Sequence, residues 1–296
     1  MTIAKLTILA LQASIFFTVF CLGLEATLQD AVSLFRRPRL LLRSLLAMNV
    51  IMPLFAALMA AVFNLRPQVE VALILLAVSP VPPVLPRTQL KAAGSTSYVY
   101  GLLVAAGLLS IVFVPLTIEI LGRVFAANVH ISPAAVAKVI ITTILLPLAL
   151  GILVHSRAPD FSQRHGKVMA RLSGIVLLIA AVPLLILAFP AMISALGNGT
   201  LLAMIAFILV GLSVGHWLGR PDPGEQTILA LATASRHPGL AITIAAANFP
   251  AQSRQIAAAI LLYFLVRMVV VIPYMRARKR HLGGEPSQPE DFRRVA

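Results

Sequence analysis

Carboxylates are scarce in this chain. The ten acidic residues among 296 are Glu25, Asp30, Glu70, Glu119, Asp160, Asp222, Glu225, Glu285, Glu290 and Asp291. All of them fall in connections, at the ends of apolar segments, or in the C-terminal tail. That placement excludes an interior carboxylate pair and leaves no acidic group at mid-segment to carry a cation or a proton. Cysteine occurs once, at Cys21, so neither an intrachain disulfide nor a thiolate metal cluster can form. There is no HExxH, no paired aspartate and no activated serine within an apolar segment, which argues against an intramembrane enzyme. Neither a metal nor a cofactor is expected. Charge of any sign is limited to 11% of residues against 59% hydrophobic, with a mean hydropathy of +0.96. A soluble core of this size needs far less apolar sequence, so lipid is the expected solvent.

What is present is a series of nine apolar segments, starting near Leu6, Leu40, Val69, Tyr98, Ala134, Val168, Leu201, Thr227 and Gln255. Each is about long enough to cross roughly 30 Å of hydrocarbon. The loops between them alternate in basic content. One side holds sixteen Lys and Arg residues, among them Arg36, Arg37, Arg39, Arg43, Lys91, Lys167, Arg171 and Arg278; the other holds five, Lys5, Arg66, Arg123, Lys138 and Arg254. This bias places the N-terminus in the periplasm and the C-terminus in the cytoplasm of a multi-pass inner-membrane protein. It also accounts for the formal charge of +14 without a nucleic-acid partner. Bulky Phe20 before Cys21 and the length of the first run argue against a lipoprotein signal. Residues 1–275 read as one integral membrane domain and 276–296 as a basic, disordered tail; loops such as HSRAPDFSQRHGK and GRPDPGEQ read as connections.

Two segments are interrupted. The third carries Pro80, Pro82, Pro83 and Pro86, and no continuous helix survives such a cluster. The eighth is broken at Pro238-Gly239, just after Arg236 and His237 in LATASRHPGLAITIAAANF. A broken helix in each half of the chain points to an inverted-repeat transporter with its site at the midplane. Simple proline kinks, as at Pro53, Pro147 and Pro183, are the structural alternative. An arginine at mid-bilayer costs roughly 2.5 to 3.5 kcal/mol unless it faces protein, water or a ligand.

The stretches FRRPRLLLRSLLAMNVIMPLFAALMA, ILLPLALGILVHSRAP and HPGLAITIAAANF resemble the bile acid:sodium symporter family, and the likeness runs from Leu6 to about Tyr274. It implies an all-α fold of about nine transmembrane helices, an inverted repeat with two crossing discontinuous helices in a core domain beside a panel domain, and alternating access for organic anions. By that resemblance this chain looks like a nine-helix form lacking the family's first helix. At the positions matching the family's sodium ligands it has Leu85, Pro86, Val99, Leu103, Ala232 and Arg236, which leaves too few oxygens for sodium.

Six residues are candidate anion contacts. Arg236 follows the first half of the eighth segment, where unsatisfied helix carbonyls carry roughly half a negative charge. Its guanidinium either replaces a bound cation there and faces an anion, or caps the half-helix structurally. His237 is the one near-midplane group able to titrate near neutrality, as a proton carrier or a neutral structural ring. Arg87 faces an anion or lipid headgroups; Thr88 follows it by helix position alone, with Gln89 on the same footing as a seventh. The resemblance places Asn49 beside the sodium site, with a helix–helix hydrogen bond as the alternative. It sets Arg267 near polar substrate contacts. The reading is a secondary transporter of an organic anion, not coupled to sodium through the family site. A sodium- or proton-coupled symporter and a non-transporting sensor of the same fold are the alternatives. Substrate identity, transport direction and oligomeric state stay open.

Overall fold

The computed structural model describes residues 3–93, 96–125 and 129–283, and every regular element among them is helical. The nine apolar segments each fall on a helix or a helix pair. Seven helices among the described residues are long and apolar enough to cross a membrane. An eighth crossing results if Leu9–Gly23 and Leu28–Arg36, bent by 102°, form one span, and Pro67–Val78 is a shorter apolar helix.

Helix α1 (Ile3–Gly23) is followed by the short α2 (Leu28–Val32), opened by a capping box between Thr27 and Asp30. Two spans share an unusual construction. In the first, α3 (Pro38–Leu45) passes through a π turn, Leu46–Ile51, into α4 (Met52–Val62); in the second, α8 (Pro133–Ile140) passes through a π turn, Ile141–Leu145, into α9 (Leu146–Arg157). Each π turn ends just before a proline, Pro53 or Pro147. A proline has no N–H and its ring crowds the carbonyl four residues back, so the helix widens by a residue to relieve it. The carbonyls so crowded belong to Asn49 and Thr143.

The third segment is split into α5 (Pro67–Val78) and α6 (Leu85–Ala93), and the eighth into α12 (Pro223–Thr233) and α13 (Pro238–Asn248). Pro80, Pro82 and Pro83 lie in the first gap, and Pro86 sits in the first turn of α6, where its missing donor costs nothing. Pro238 and Gly239 open α13 in the same way. Long helices fill in the rest: α7 (Thr96–Val124), α10 (Pro159–Ala195), α11 (Thr200–Leu218) and α14 (Ser253–Gly283).

Two differences from the sequence reading bear on the site. The stretch HSRAPDFSQRHGK is not a loop: α9 runs to Arg157 and α10 begins at Pro159, because proline at N1 starts a helix as readily as it ends one. The basic residues of this stretch therefore sit on a helix face. Likewise α14 continues through Arg276 and Arg278 to Gly283; the rest of the expected tail, 284–296, lies outside the described residues.

The helices pack as two groups. Helices α1, α9 and α10 lie against one another, while α4, α5, α6, α7, α11, α12, α13 and α14 surround the broken pairs. The groups join where α10 meets α14, and where α8, the half-span continuous with α9, meets α7. Enclosure follows: 78% of the α12–α13 span is buried, against 11% of α10. Helix α11 lies unusually close to α12, since a Cβ on Gly215 would stand 2.5 Å from the Ala230 Cα and the Leu229 carbonyl. Small residues at such a seam let two backbones approach within a membrane. The start of α12 is pinned by three arginines: Arg37 pairs with Glu225 at 2.5 Å, Arg43 Nη1 donates to the Arg220 carbonyl at 2.6 Å, and Arg278 donates to Thr227 Oγ1 and the Pro223 carbonyl at 2.8 and 2.6 Å.

Candidate functional site

The two gaps meet at the centre of the larger helix group. The backbone N–H of His237, in the second gap, donates to the Pro80 carbonyl, in the first, at 2.9 Å. Arg236 Nη1 reaches the adjacent Ser79 carbonyl at 3.3 Å. Ser79 ends α5, with its hydroxyl turned back to the Leu75 carbonyl at 2.7 Å. Each break thus supplies the partner that the other lacks, as exposed backbone in a membrane requires.

Neighbouring helices fix this meeting point. Tyr263, on α14, donates its hydroxyl to the Ala234 carbonyl at 2.9 Å, holding the residue just past the end of α12. Gln89 Nε2, on α6, donates to the Ile228 carbonyl of α12 at 2.8 Å. The His237 ring caps its own helix: Nδ1 accepts from the Leu240 N–H at 3.2 Å. A ring nitrogen that accepts carries no proton, so the neutral ring bears its hydrogen on Nε2, facing Thr143 Oγ1 at 3.4 Å. Thr143, which donates its own hydrogen to the Val139 carbonyl at 2.7 Å, lies in the second π turn. Asn49 lies half-buried in the first, which packs on α5 and α12.

The electrostatics of the crossing are one-sided. Arg236 is 2% exposed, and its Nε and Nη2 have no partner among the described residues. Arg267, one turn beyond Tyr263 on α14, is 8% exposed with its Nε and Nη2 equally unpartnered. The only buried carboxylate among the described residues is Glu225, paired with Arg37. What faces Arg236 is the carbonyl end of α5, with the end of α12 three residues before it in the chain. Helix C-termini carry roughly half a negative charge each, and a cation is the group that suits them.

A second feature lies apart from the crossing. A cavity of about 700 Å³ opens between α1, α6 and α10, lined by Arg87, Lys91, Lys167, Arg171 and Glu25 among apolar neighbours. At its edge Arg87 Nη2 donates to Ser173 Oγ of α10 at 3.0 Å. The cavity therefore spans the junction between the two helix groups. Its size lies in the range of small-molecule sites.

The six candidate residues do not form one cluster. Arg236 and His237 stand together at the crossing, Asn49 lies in a π turn packed on it, Arg267 is buried on α14, and Arg87 lines the cavity. Thr88 is half-buried beside Arg87 and does not line the cavity. Sequence reasoning passed over Tyr263, Thr143, Lys91, Lys167 and Arg171. The signal for Tyr263 was its spacing of four residues from Arg267 on one helix face; for Lys167 and Arg171 it was the same spacing, hidden by the loop assignment. Nothing local marks Thr143.

Residues 13–196 match the model of the family described as Sodium Bile acid symporter family. The match ends before α11, so the second broken helix lies beyond it. Among curated proteins the chain is similar to the P3 protein of Homo sapiens, 29% identical over 221 residues, covering 69% of this chain and 43% of that protein. It is similar as well to the P3 protein of Bos taurus, 27% identical over 239 residues, covering 75% of this chain and 45% of that protein. The chain spans less than half the length of these relatives.

Proposed function

Because the chain belongs to the Sodium Bile acid symporter family, we propose that it is a secondary transporter of an organic anion that works without sodium at the family's site. Its task is movement of a solute and not chemical conversion. The observation that carries the reading is Arg236: a buried guanidinium, with no carboxylate beside it among the described residues, set against the carbonyl end of α5 where two broken helices meet. A permanent charge on the chain does there what a bound cation would do, and it cannot be driven by an ion gradient.

The anion enters through the basic cavity between α1, α6 and α10, where charged side chains of the two helix groups face a common space. The loops' basic bias supports an inner-membrane location with a periplasmic N-terminus and a cytoplasmic C-terminus. Uptake into proteoliposomes tests the coupling, using an organic anion selected by a thermal-shift screen of the purified protein. Rates should be equal with an inward sodium gradient and with choline. A rate that rises several-fold with the sodium gradient would refute the reading.

A further inference from the structure

The cavity holds more positive charge than a singly charged solute needs. Arg87 and Lys91 stand one turn apart on α6, and Lys167 and Arg171 one turn apart on α10. Spacing of four residues puts each pair on a single helix face, so two pairs of cations share one space of about 700 Å³. Glu25 is the sole carboxylate in the lining, and among the described residues it pairs with none of them. Cations gathered in this way repel one another and favour any ligand that brings enough negative charge.

Their placement is graded. Arg87 is half-buried and held in place: Ser173 accepts one of its N–H groups, and its Nη1 rests where a Cβ on Gly174 would come within 3.2 Å. Lys91, Lys167 and Arg171 are exposed at the mouth. The remaining wall is apolar, formed by Leu22, Leu90, Ile175 and Leu178. One fixed planar donor, three reaching cations and an apolar wall suit a compact head with several oxygens on an apolar body.

We infer that this cavity takes a ligand bearing a doubly charged phosphoryl head on an apolar body, in preference to a singly charged carboxylate or sulfonate. The inference rests on the organic-anion reading and specifies the anion. A phosphate monoester is close to doubly charged at pH 8 and offers three acceptor oxygens, enough to engage Arg87 and the lysines together. A soluble organic phosphate and a phosphate-headed lipid share this chemistry.

The test uses matched probes. Full-length protein in nanodiscs of phosphatidylcholine is titrated at pH 8 with 1-naphthyl phosphate and with naphthalene-1-sulfonate, which share a body and differ in head charge. The phosphate should bind at least about tenfold tighter. Substituting Lys167→Ala with Arg171→Ala, or Lys91→Ala alone on the other helix, should bring the ratio toward one while sulfonate binding persists. In the lipid arm, nanodiscs containing phosphatidic acid are compared with nanodiscs containing phosphatidylglycerol. Phosphate preference in the naphthyl pair assigns a soluble ligand; no naphthyl phosphate binding, with a melting temperature raised by phosphatidic acid and not by phosphatidylglycerol, assigns a lipid. Equal response to single and double charge in both arms, or a preference that survives in all the variants, overturns the inference. Naphthyl phosphate preference with no organic-anion uptake in proteoliposomes would sink the transport reading alone; uptake without charge preference would sink this inference alone.

Discussion

Replacing Arg236 by methionine removes the charge at the crossing and keeps most of the side-chain length, so it separates a structural role from a functional one. The bond from Nη1 to the Ser79 carbonyl is charge-assisted but long at 3.3 Å, and such bonds contribute about 1.5 to 3 kcal/mol at best. A cation at a partly buried helix C-terminus adds up to about 2 kcal/mol. Against these stand the desolvation of a buried charge, several kcal/mol, and two N–H groups without acceptors at about 1 to 3 kcal/mol each. The opposing terms are of similar size. Arg236→Met should therefore change stability by no more than about 2 kcal/mol in either direction, as apolar replacements of buried charges often do. Uptake should nonetheless be lost, because nothing then offsets the carbonyl ends where the breaks meet. Arg236→Lys should keep part of the activity, since a point charge remains without the planar fork. Arg236→Gly should regain part of it when guanidinium is added at millimolar concentration. Thermal unfolding in detergent and uptake in proteoliposomes are measured on the same preparations. A methionine variant that transports at the wild-type rate would show that the charge has no part in function; one that fails to fold, with lysine restoring full stability, would make the arginine a structural cap.

Tyr263→Phe keeps the ring against Phe207, 5.8 Å between centroids, and removes only the hydroxyl that holds the Ala234 carbonyl, so it should cost about 1 kcal/mol, read as a lowered melting temperature. Gly215→Leu places a branched side chain where even a Cβ meets the α12 backbone; it should cost at least about 1 to 3 kcal/mol and broaden the monodisperse peak in size-exclusion chromatography. Uptake should stay flat between pH 6.5 and 8, because the His237 ring is already committed as the neutral cap of α13, and a steep pH profile would contradict that tautomer. An alkaline phosphatase fusion at Ala296 should be inactive and a cytoplasmic reporter there active; the reverse would invert the proposed topology.

The fold was legible because lipid imposes strong rules. Apolar segments must be helices, so their helical state and rough bounds follow from hydropathy, and prolines at 80, 82, 83 and 238 mark where helices cannot continue. Two things were not legible. Helix starts near proline were read as loops: Pro159 follows Arg157 and Ala158 in a polar stretch with turn residues, and only the packing of α10 on α1 shows that the helix begins there. The π turns were hidden too, since Pro53 and Pro147 announce a disturbance without saying whether the helix kinks or widens. Of the residues at the crossing and the cavity, Arg236, His237 and Arg87 stood out in the sequence because charge inside an apolar segment is costly and demands a reason. Thr143 was not, because a threonine in a membrane helix usually bonds its own backbone and nothing local distinguishes this one.

Helix α6 links the two features of the molecule. Arg87 and Gln89 are two residues apart, which puts them about 200° around the helix axis, on opposing faces. From one face Arg87 bonds Ser173 of α10 at the edge of the basic cavity, and from the other Gln89 bonds the Ile228 carbonyl of α12. The same short helix begins six residues after Ser79, whose carbonyl receives Arg236. A ligand that draws Arg87 away from Ser173 must therefore pull on an element whose other face is fastened to the second broken helix and whose origin is fastened to the crossing. The bond to Ser173 is the most accessible of these attachments, made by a half-buried arginine at the edge of a cavity, while Gln89 and Arg236 are buried. Displacement at the cavity should thus carry α6 and α12 together and leave α10 behind, so that the two helix groups separate along the seam that Arg87 spans.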